Sequence, residues 1–222
     1  MKTTGDIKSN SGLTDKEYDS MSKGVVKSIV ESMYQLGEIT DEDLLDWTKL
    51  KKKMLALTKK VQFGIVVDHR DNIIKTARKY KKEKNHEYAI LFYAIFFEHT
   101  LNSIIERICA RNKINKKTTN DIIKSVSIDG KLNWLPKLLK IPEINNVHKS
   151  LIKKNADDRN AFVHYKFNPG HDDPKAEDQE EKNRTANLDK LEKSFAYIKK
   201  YESRVTYDNK KGVFKKNFNK YH

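Results

Sequence analysis

Cysteine is almost absent from this chain of 222 residues, which contains only Cys109. A disulfide within the chain is therefore excluded, and so are the zinc sites built on several cysteines. The seven histidines are too scattered to replace them. Cys109 falls on an apolar helical face, where a buried structural thiol is commoner than a nucleophile. We therefore expect no metal and no other cofactor.

Residues that break helices are also scarce, with four prolines and eight glycines in the whole chain. So few breakers favour long helices over a β-sandwich with many turns. No segment alternates cleanly between apolar and polar residues, as a half-buried strand would, and the sequence has no internal repeat. The predicted fold class is all-α.

Long hydrophobic runs are missing as well. The longest, residues 88–97, is about half of the ~20 residues that span a bilayer. The first dozen residues lack the hydrophobic segment of a signal peptide. We therefore expect a soluble, cytoplasmic protein that does not bind a membrane. A peripheral membrane protein is a weaker alternative, because neither Trp nor Phe lies beside the lysines of residues 49–53.

Positive charge, in contrast, is abundant. Lysine and arginine number 45 against 31 acidic residues, a net charge of +14, which predicts a polyanionic partner such as RNA. A lysine-rich composition is also typical of an AT-rich genome. Two basic segments are candidates for phosphate contacts, and ordinary solvated faces are the alternative; their residues are Lys51, Lys52, Lys53, Lys215 and Lys216.

The pattern of apolar residues divides the chain into three parts. Residues 1–60 are predicted to be an N-terminal helical extension, whose first dozen residues are disordered. Residues 61–206 are predicted to form a helical bundle around the very apolar helix that follows Asn85. Residues 207–222 form a basic tail with interleaved aromatics, which either binds single-stranded nucleic acid or is a frayed terminus.

Further boundaries follow from local signals. Thr14 with Glu17, and Thr40 with Asp43, have the spacing of residues that begin helices. Later segments are predicted to form helices over 118–126, 131–140 and 144–165, then an exposed acidic loop over 171–182 and a closing amphipathic helix.

The segment DDRNAFVHY stands out, because the chain has no glycine-rich phosphate loop, no GxSxG and no HExxH. Arg159 and His164 are separated by four residues near the end of a predicted helix. At ~100° per residue they lie roughly 140° apart, whereas Asn160 and His164 share a face. Either the helix ends near His164, or Arg159 reaches a site shared with a second subunit.

This segment resembles the signature of the HEPN superfamily, an arginine followed after four to six residues by a histidine, often with a polar residue such as Asn160 after the arginine. The likeness extends over residues 61–205, because a very apolar helix with an acidic residue, Glu98, precedes the motif helix and a closing helix follows it. The resemblance implies an HEPN-like helical bundle. It also implies a homodimer in which both motifs converge in a cleft.

The activity that the resemblance implies is metal-independent endonuclease cleavage of RNA, leaving 2′,3′-cyclic phosphate ends. Histidine takes and releases protons near neutral pH, so His164 suits acid–base catalysis on a 2′-hydroxyl. The Arg159 guanidinium suits the phosphate, and Asn160 suits orienting either group. By resemblance Glu98, on the same helix face as Asn102, pairs with Arg159; a purely structural ion pair is the alternative.

Some toxin members of the family have a tyrosine two residues after the histidine, where a partner enzyme modifies it. Here that position is Lys166, and Tyr165 follows the histidine directly, so regulation through it is in doubt. The resemblance suggests a toxin or phage-defence effector, with a cognate inhibitor protein as a further partner. The alternative is a non-catalytic module that binds nucleic acid or protein, with His164 as an ordinary histidine at a helix C-terminus.

Overall fold

The computed structural model describes residues 14–59, 68–164 and 174–221. About 81% of the described structure is helical, and no strand occurs in these ranges. The predicted all-α fold class is therefore confirmed. The disorder predicted for the first dozen residues, the start of the predicted bundle at 61–67 and the positions Tyr165 and Lys166 lie outside the described residues.

The helices are numbered in chain order within the described ranges. They are α1 (Asp15–Gln35), α2 (Trp47–Thr58), α3 (Arg70–Lys82), α4 (His86–Arg111), α5 (Lys116–Ser125), α6 (Ile128–Leu132), α7 (Trp134–Leu138), α8 (Asn146–Val163), α9 (Pro174–Thr206) and α10 (Lys211–Phe218). Short 3₁₀ turns occupy Asp43–Leu45 and Asn219–Tyr221.

The chain divides into two compact units, one of residues 1–63 with 212–222 and one of residues 64–211. In the first unit the rings of Tyr34 and Phe214 lie 5.0 Å apart, and Phe214 stacks on Phe218 at 5.4 Å. Both phenylalanines are buried. Phe214 and Phe218 of the predicted tail therefore serve a hydrophobic core, and these two rings are not exposed for stacking on bases.

The second predicted helix starts later than its signal. Thr40 and Asp43 make the expected reciprocal cap, with Thr40 N–H donating to Asp43 at 2.8 Å. The cap leads only into a 3₁₀ turn, because Asp46 then adopts extended backbone angles. Its carboxylate accepts hydrogen bonds from the N–H groups of Thr48 and Lys49, so it caps α2 itself.

Helix α4 is the centre of the second unit and contacts α3, α5, α8 and α9. Its apolar residues surround the axis, so every side needs a neighbouring helix to cover it. Tyr93, Phe96 and Phe97 are all buried against these neighbours. Among the described helices, α4 alone has the length and hydropathy of a membrane span. The same composition suits a core helix.

Two further predictions need correction. The acidic stretch predicted as a loop over 171–182 is helical from Pro174 onward, because proline fits the first helical turn and the next eight residues include no breaker. The single helix predicted over 131–140 is two short ones, α6 and α7. They separate at Asn133, whose ψ of −76° departs from helical geometry.

Candidate active site

The predicted catalytic motif lies at the C-terminal end of α8. The helix begins after Asn145, whose side chain accepts a hydrogen bond from Val147 N–H at 3.0 Å. It ends at Val163, so His164 is the C-cap residue, and its N–H donates to the carbonyl of Asn160 at 3.0 Å. The helix thus ends at the histidine, which was one of the two geometric solutions expected.

The imidazole of His164 is exposed and, in the part of the chain that the structure describes, has no hydrogen-bond or ion-pair partner. Asn160 is exposed as well. Among the described side chains, no hydrogen bond connects either residue to Arg159. A single chain therefore presents the three motif residues separately.

Arg159 is held against the central helix. Its Nη2 donates to Glu98 Oε2 at 3.2 Å, and 30% of its side chain is exposed. Its Nε is buried and has no hydrogen-bond partner in the described structure. Asn102 lies one turn beyond Glu98 on α4, and its Oδ1 is likewise buried without a partner among the described residues. The site therefore contains a fixed guanidinium with an unused donor and, nearby on α4, an unused acceptor.

Lys131 adds a second cation that the sequence analysis did not single out. Its side chain is only 3% exposed, and its Nζ lies 3.9 Å from Glu98 Oε1. Burial lowers the pKa of Lys131, and the Glu98 carboxylate partly offsets this effect. No sequence signal marks Lys131 among so many lysines, because the contact joins residues 33 positions apart (98 and 131) on different helices.

A close approach behind Lys131 explains the glycine that precedes it. A Cβ added to Gly130 would lie 2.7 Å from Val126 Cγ1 and 2.8 Å from Trp134 Nε1. These distances are too short for any other residue without movement of the neighbours. Gly130 therefore permits Val126 and the Trp134 indole to pack closely against the backbone of α6 beside Lys131.

The local charges favour an anion. Glu98 is one carboxylate placed between two cations, Arg159 and Lys131, so the cluster keeps a net positive charge. A phosphate near Arg159 would gain from this charge and from the exposed part of the Arg159 side chain. Within the described residues, no group of three or more His, Cys, Asp or Glu side chains could hold a metal ion.

Comparison with known proteins identifies no relative. No protein-family model matches the chain, and no curated protein or solved structure matches it. The likeness to the HEPN superfamily therefore stays a prediction that rests on the residues quoted above.

The lysines predicted to bind nucleic acid all belong to the first unit. Lys51 and Lys52 are exposed on α2, and Lys215 and Lys216 are exposed on α10. Lys53 differs, because its ammonium lies 2.5 Å from Asp43 and is partly neutralised.

A serine–histidine pair elsewhere in the second unit has the residue types of a rival active site. His148 Nδ1 lies 3.0 Å from Ser194 Oγ, and the His148 ring stacks on Tyr197 at 4.1 Å. Ser194 is fully buried, so a substrate cannot reach its hydroxyl. The pair connects α8 to α9 and has a structural role, and burial lowers the pKa of His148.

Proposed function

We propose that the protein is a metal-independent endoribonuclease of the HEPN type that acts as a homodimer. The observation that carries this proposal is the exposed His164 imidazole, which has no partner among the described residues. It lies at the end of α8, the helix whose Arg159 is held by Glu98 of α4. The exposure leaves the imidazole open to a substrate, and the ion pair with Glu98 leaves the buried guanidinium Nε of Arg159 without a hydrogen-bond partner among the described residues.

The proposed reaction needs a base, an acid and a phosphate ligand. His164 takes the proton of a ribose 2′-hydroxyl, whose oxygen attacks the adjacent phosphorus. The bond from phosphorus to the 5′-oxygen breaks, and that oxygen receives a proton from the second histidine of the dimer. Arg159 stabilises the charge on the phosphoryl oxygens, and Asn160 donates a hydrogen bond to the same group. The products are a 2′,3′-cyclic phosphate and a 5′-hydroxyl, and DNA, without the 2′-hydroxyl, is not cut.

The dimer supplies what one chain lacks. On an ideal helix positions 159 and 164 lie roughly 140° apart, so a second copy is proposed to bring its own motif across the cleft. A role as a toxin or phage-defence effector, with a cognate inhibitor protein, is proposed on the resemblance alone.

The test is incubation of the full-length protein with total RNA in EDTA, followed by analysis of fragment end groups. Wild type is expected to leave cyclic phosphate ends, and His164→Ala to be slower by about 100-fold or more. His99→Ala is the matched control, since His99 is an exposed histidine of α4 outside the motif. Equal cleavage by His164→Ala and His99→Ala would contradict the proposal.

A second candidate is a non-catalytic RNA-binding module, favoured by the exposed lysines of α2 and α10. RNA binding by wild type without any cleavage would support this alternative.

A further inference from the structure

A cavity of about 190 Å³ opens beside the motif helix, between α4, α8 and α9. Its volume corresponds to roughly six water molecules at ~30 Å³ each, enough for a flat ring system but small for a larger ligand. Its lining combines four aliphatic residues, Ile90, Leu151, Leu188 and Leu191, with six polar or charged ones. A flat ring with apolar faces and polar edges fits these surroundings better than a strongly hydrated ion does.

One polar side chain in the cavity lining has an unused hydrogen-bonding atom. Asn155 is 2% exposed, and its Nδ2 donates to the Ile90 carbonyl at 3.1 Å. Its Oδ1 has no hydrogen-bond partner among the described residues. Buried polar atoms are nearly always paired, so this oxygen is an acceptor left for a ligand that donates a hydrogen bond.

The charged residues around the cavity largely neutralise one another. Lys154 Nζ lies 3.2 Å from the Asp158 carboxylate, and Arg184 Nη1 lies 2.6 Å from Glu87 Oε1. An anionic ligand would have to compete with these carboxylates. A neutral ring can instead lie against the Arg184 guanidinium plane without breaking the pair.

The cavity is close to the proposed phosphate ligand. Arg159 follows Asn155 by four residues, so the two side chains leave the same side of α8 about one turn, or ~6 Å, apart. That is the scale of the distance between the phosphate and the base within one nucleotide. A strand whose phosphate lies on Arg159 can therefore direct a neighbouring base into the cavity.

We propose that this cavity binds one unpaired nucleobase of the RNA, with a base N–H donating to Asn155 Oδ1. The proposal rests on the proposed function, which supplies the RNA and the phosphate position. It assigns to Asn155 a role in selecting the nucleotide beside the cleavage site, since single-stranded bases are recognised by pockets that match their hydrogen-bonding edge.

The binding test uses full-length His164→Ala protein, so that no cleavage occurs, titrated with each of the four nucleoside 5′-monophosphates by NMR. At least one nucleotide is expected to bind saturably and to shift amide signals of α8 and α9. Adding Asn155→Leu, which keeps the size but removes the acceptor, is expected to weaken this binding at least tenfold. Asn120→Leu, at an exposed asparagine of α5, is the matched control and should bind as before.

A second variant guards against misfolding of Asn155→Leu. Leu151→Trp fills the cavity from its wall and is expected to abolish the same binding while the circular dichroism spectrum stays helical. Absence of saturable binding for all four nucleotides, or equal affinity in the Asn155→Leu and Asn120→Leu proteins, would overturn the inference.

Cleavage mapping separates this inference from the proposed function. RNA cut by wild type at preferred bases, with the preference lost in Asn155→Leu alone, supports both. An unchanged cleavage pattern in Asn155→Leu overturns the base pocket and leaves the ribonuclease. Nucleotide binding that depends on Asn155, without any cleavage by wild type, keeps the pocket and overturns the enzyme.

Discussion

Glu98 accepts a hydrogen bond from Arg159 at 3.2 Å and thereby connects the central helix to the helix of the proposed catalytic motif. The other oxygen of the same carboxylate lies 3.9 Å from the buried ammonium of Lys131. One carboxylate thus fixes the position of two cations from two different helices. Both contacts can be tested by substitution.

Glu98→Gln is expected to lower kcat of RNA cleavage about tenfold while KM changes less. Glutamine keeps the shape but loses the charge that orients Arg159, and one misplaced transition-state contact costs about 1–2 kcal/mol. Steady-state rates on one RNA substrate measure the effect. Glu106→Gln, at an exposed glutamate of the same helix, should leave the rate unchanged. A wild-type kcat in Glu98→Gln would show that the ion pair is only structural.

Lys131→Met is expected to raise the free energy of unfolding at neutral pH by about 1 kcal/mol, because burial of an ammonium with one distant partner is unfavourable. The folded-state pKa of Lys131 lies below its ordinary value of 10.5. The unfolded state therefore binds more protons between these two values, and wild-type stability rises with pH across that window. Urea unfolding should show a smaller difference in the free energy of unfolding between the variant and wild type at pH 10 than at pH 7. A difference that does not change with pH would contradict this explanation.

Glu192→Gln is expected to destabilise the second unit by about 1–3 kcal/mol. The carboxylate accepts hydrogen bonds from the buried hydroxyl of Tyr93 and from Arg78, with Arg78 Nη2 at 2.8 Å. Burial is the largest single influence and opposes ionisation of Glu192, but the hydrogen bonds from Arg78 and Tyr93 and the positive charges of Arg78 and Lys81 together outweigh it, so the pKa is lowered. Thermal unfolding measures the loss. Tyr93→Phe combined with Glu192→Gln should cost less than the sum of the single changes, and simple additivity would argue against a shared network.

His148→Gln is expected to reduce the loss of stability in mild acid. Burial lowers the folded-state pKa of His148 below its ordinary value of 6.5, so the unfolded chain takes up the proton first. Stability is therefore lost as pH falls from about 6.5 through the lowered folded-state pKa. Urea unfolding at pH 7.5, 6 and 5 should show a smaller decline in the variant than in wild type. An identical decline in the two proteins would mean that residues other than His148 cause the loss of stability in acid.

Charge reversal at Lys51 and Lys52 is expected to weaken RNA binding. It should also reduce the salt dependence of binding by roughly one unit of slope for each phosphate that the variant no longer neutralises. Fluorescence anisotropy at several salt concentrations measures both quantities. The control is charge reversal at Lys116 and Lys117, two exposed lysines of α5, because this double variant has the same net charge as the first. Equal weakening in the two double variants would mean that only total charge matters.

Local signals along the chain predicted much of the helical structure. The capping pair Thr14 and Glu17 forms as expected, since its hydrogen bonds join residues three apart. The same kind of signal misplaced the start of α2, because Asp46 offers a competing cap. It also misses the helix from Pro174 onward, because the charged composition there is equally typical of an exposed loop.

The candidate site shows the same division. The motif residues Arg159, Asn160 and His164 can be read from the sequence because they lie within six positions on one helix. A pairing of Glu98 with Arg159 was suggested only by resemblance. Lys131 and Asn155 could not be found from the sequence. Nothing in the sequence distinguishes a buried lysine, or an asparagine with an unpaired oxygen, from exposed residues of the same type.

The sequence by itself determined the all-α class and the central place of α4, because helix periodicity and apolar composition are local properties that any tertiary arrangement must satisfy. Only the tertiary structure decided which side chains meet across helices: Glu98 with Arg159 and Lys131, and Asn155 with the cavity. Such contacts depend on how helices that are distant in sequence pack together. The burial and electrostatics of these side chains follow from that packing, and the number of residues between them in the chain does not predict which of them meet.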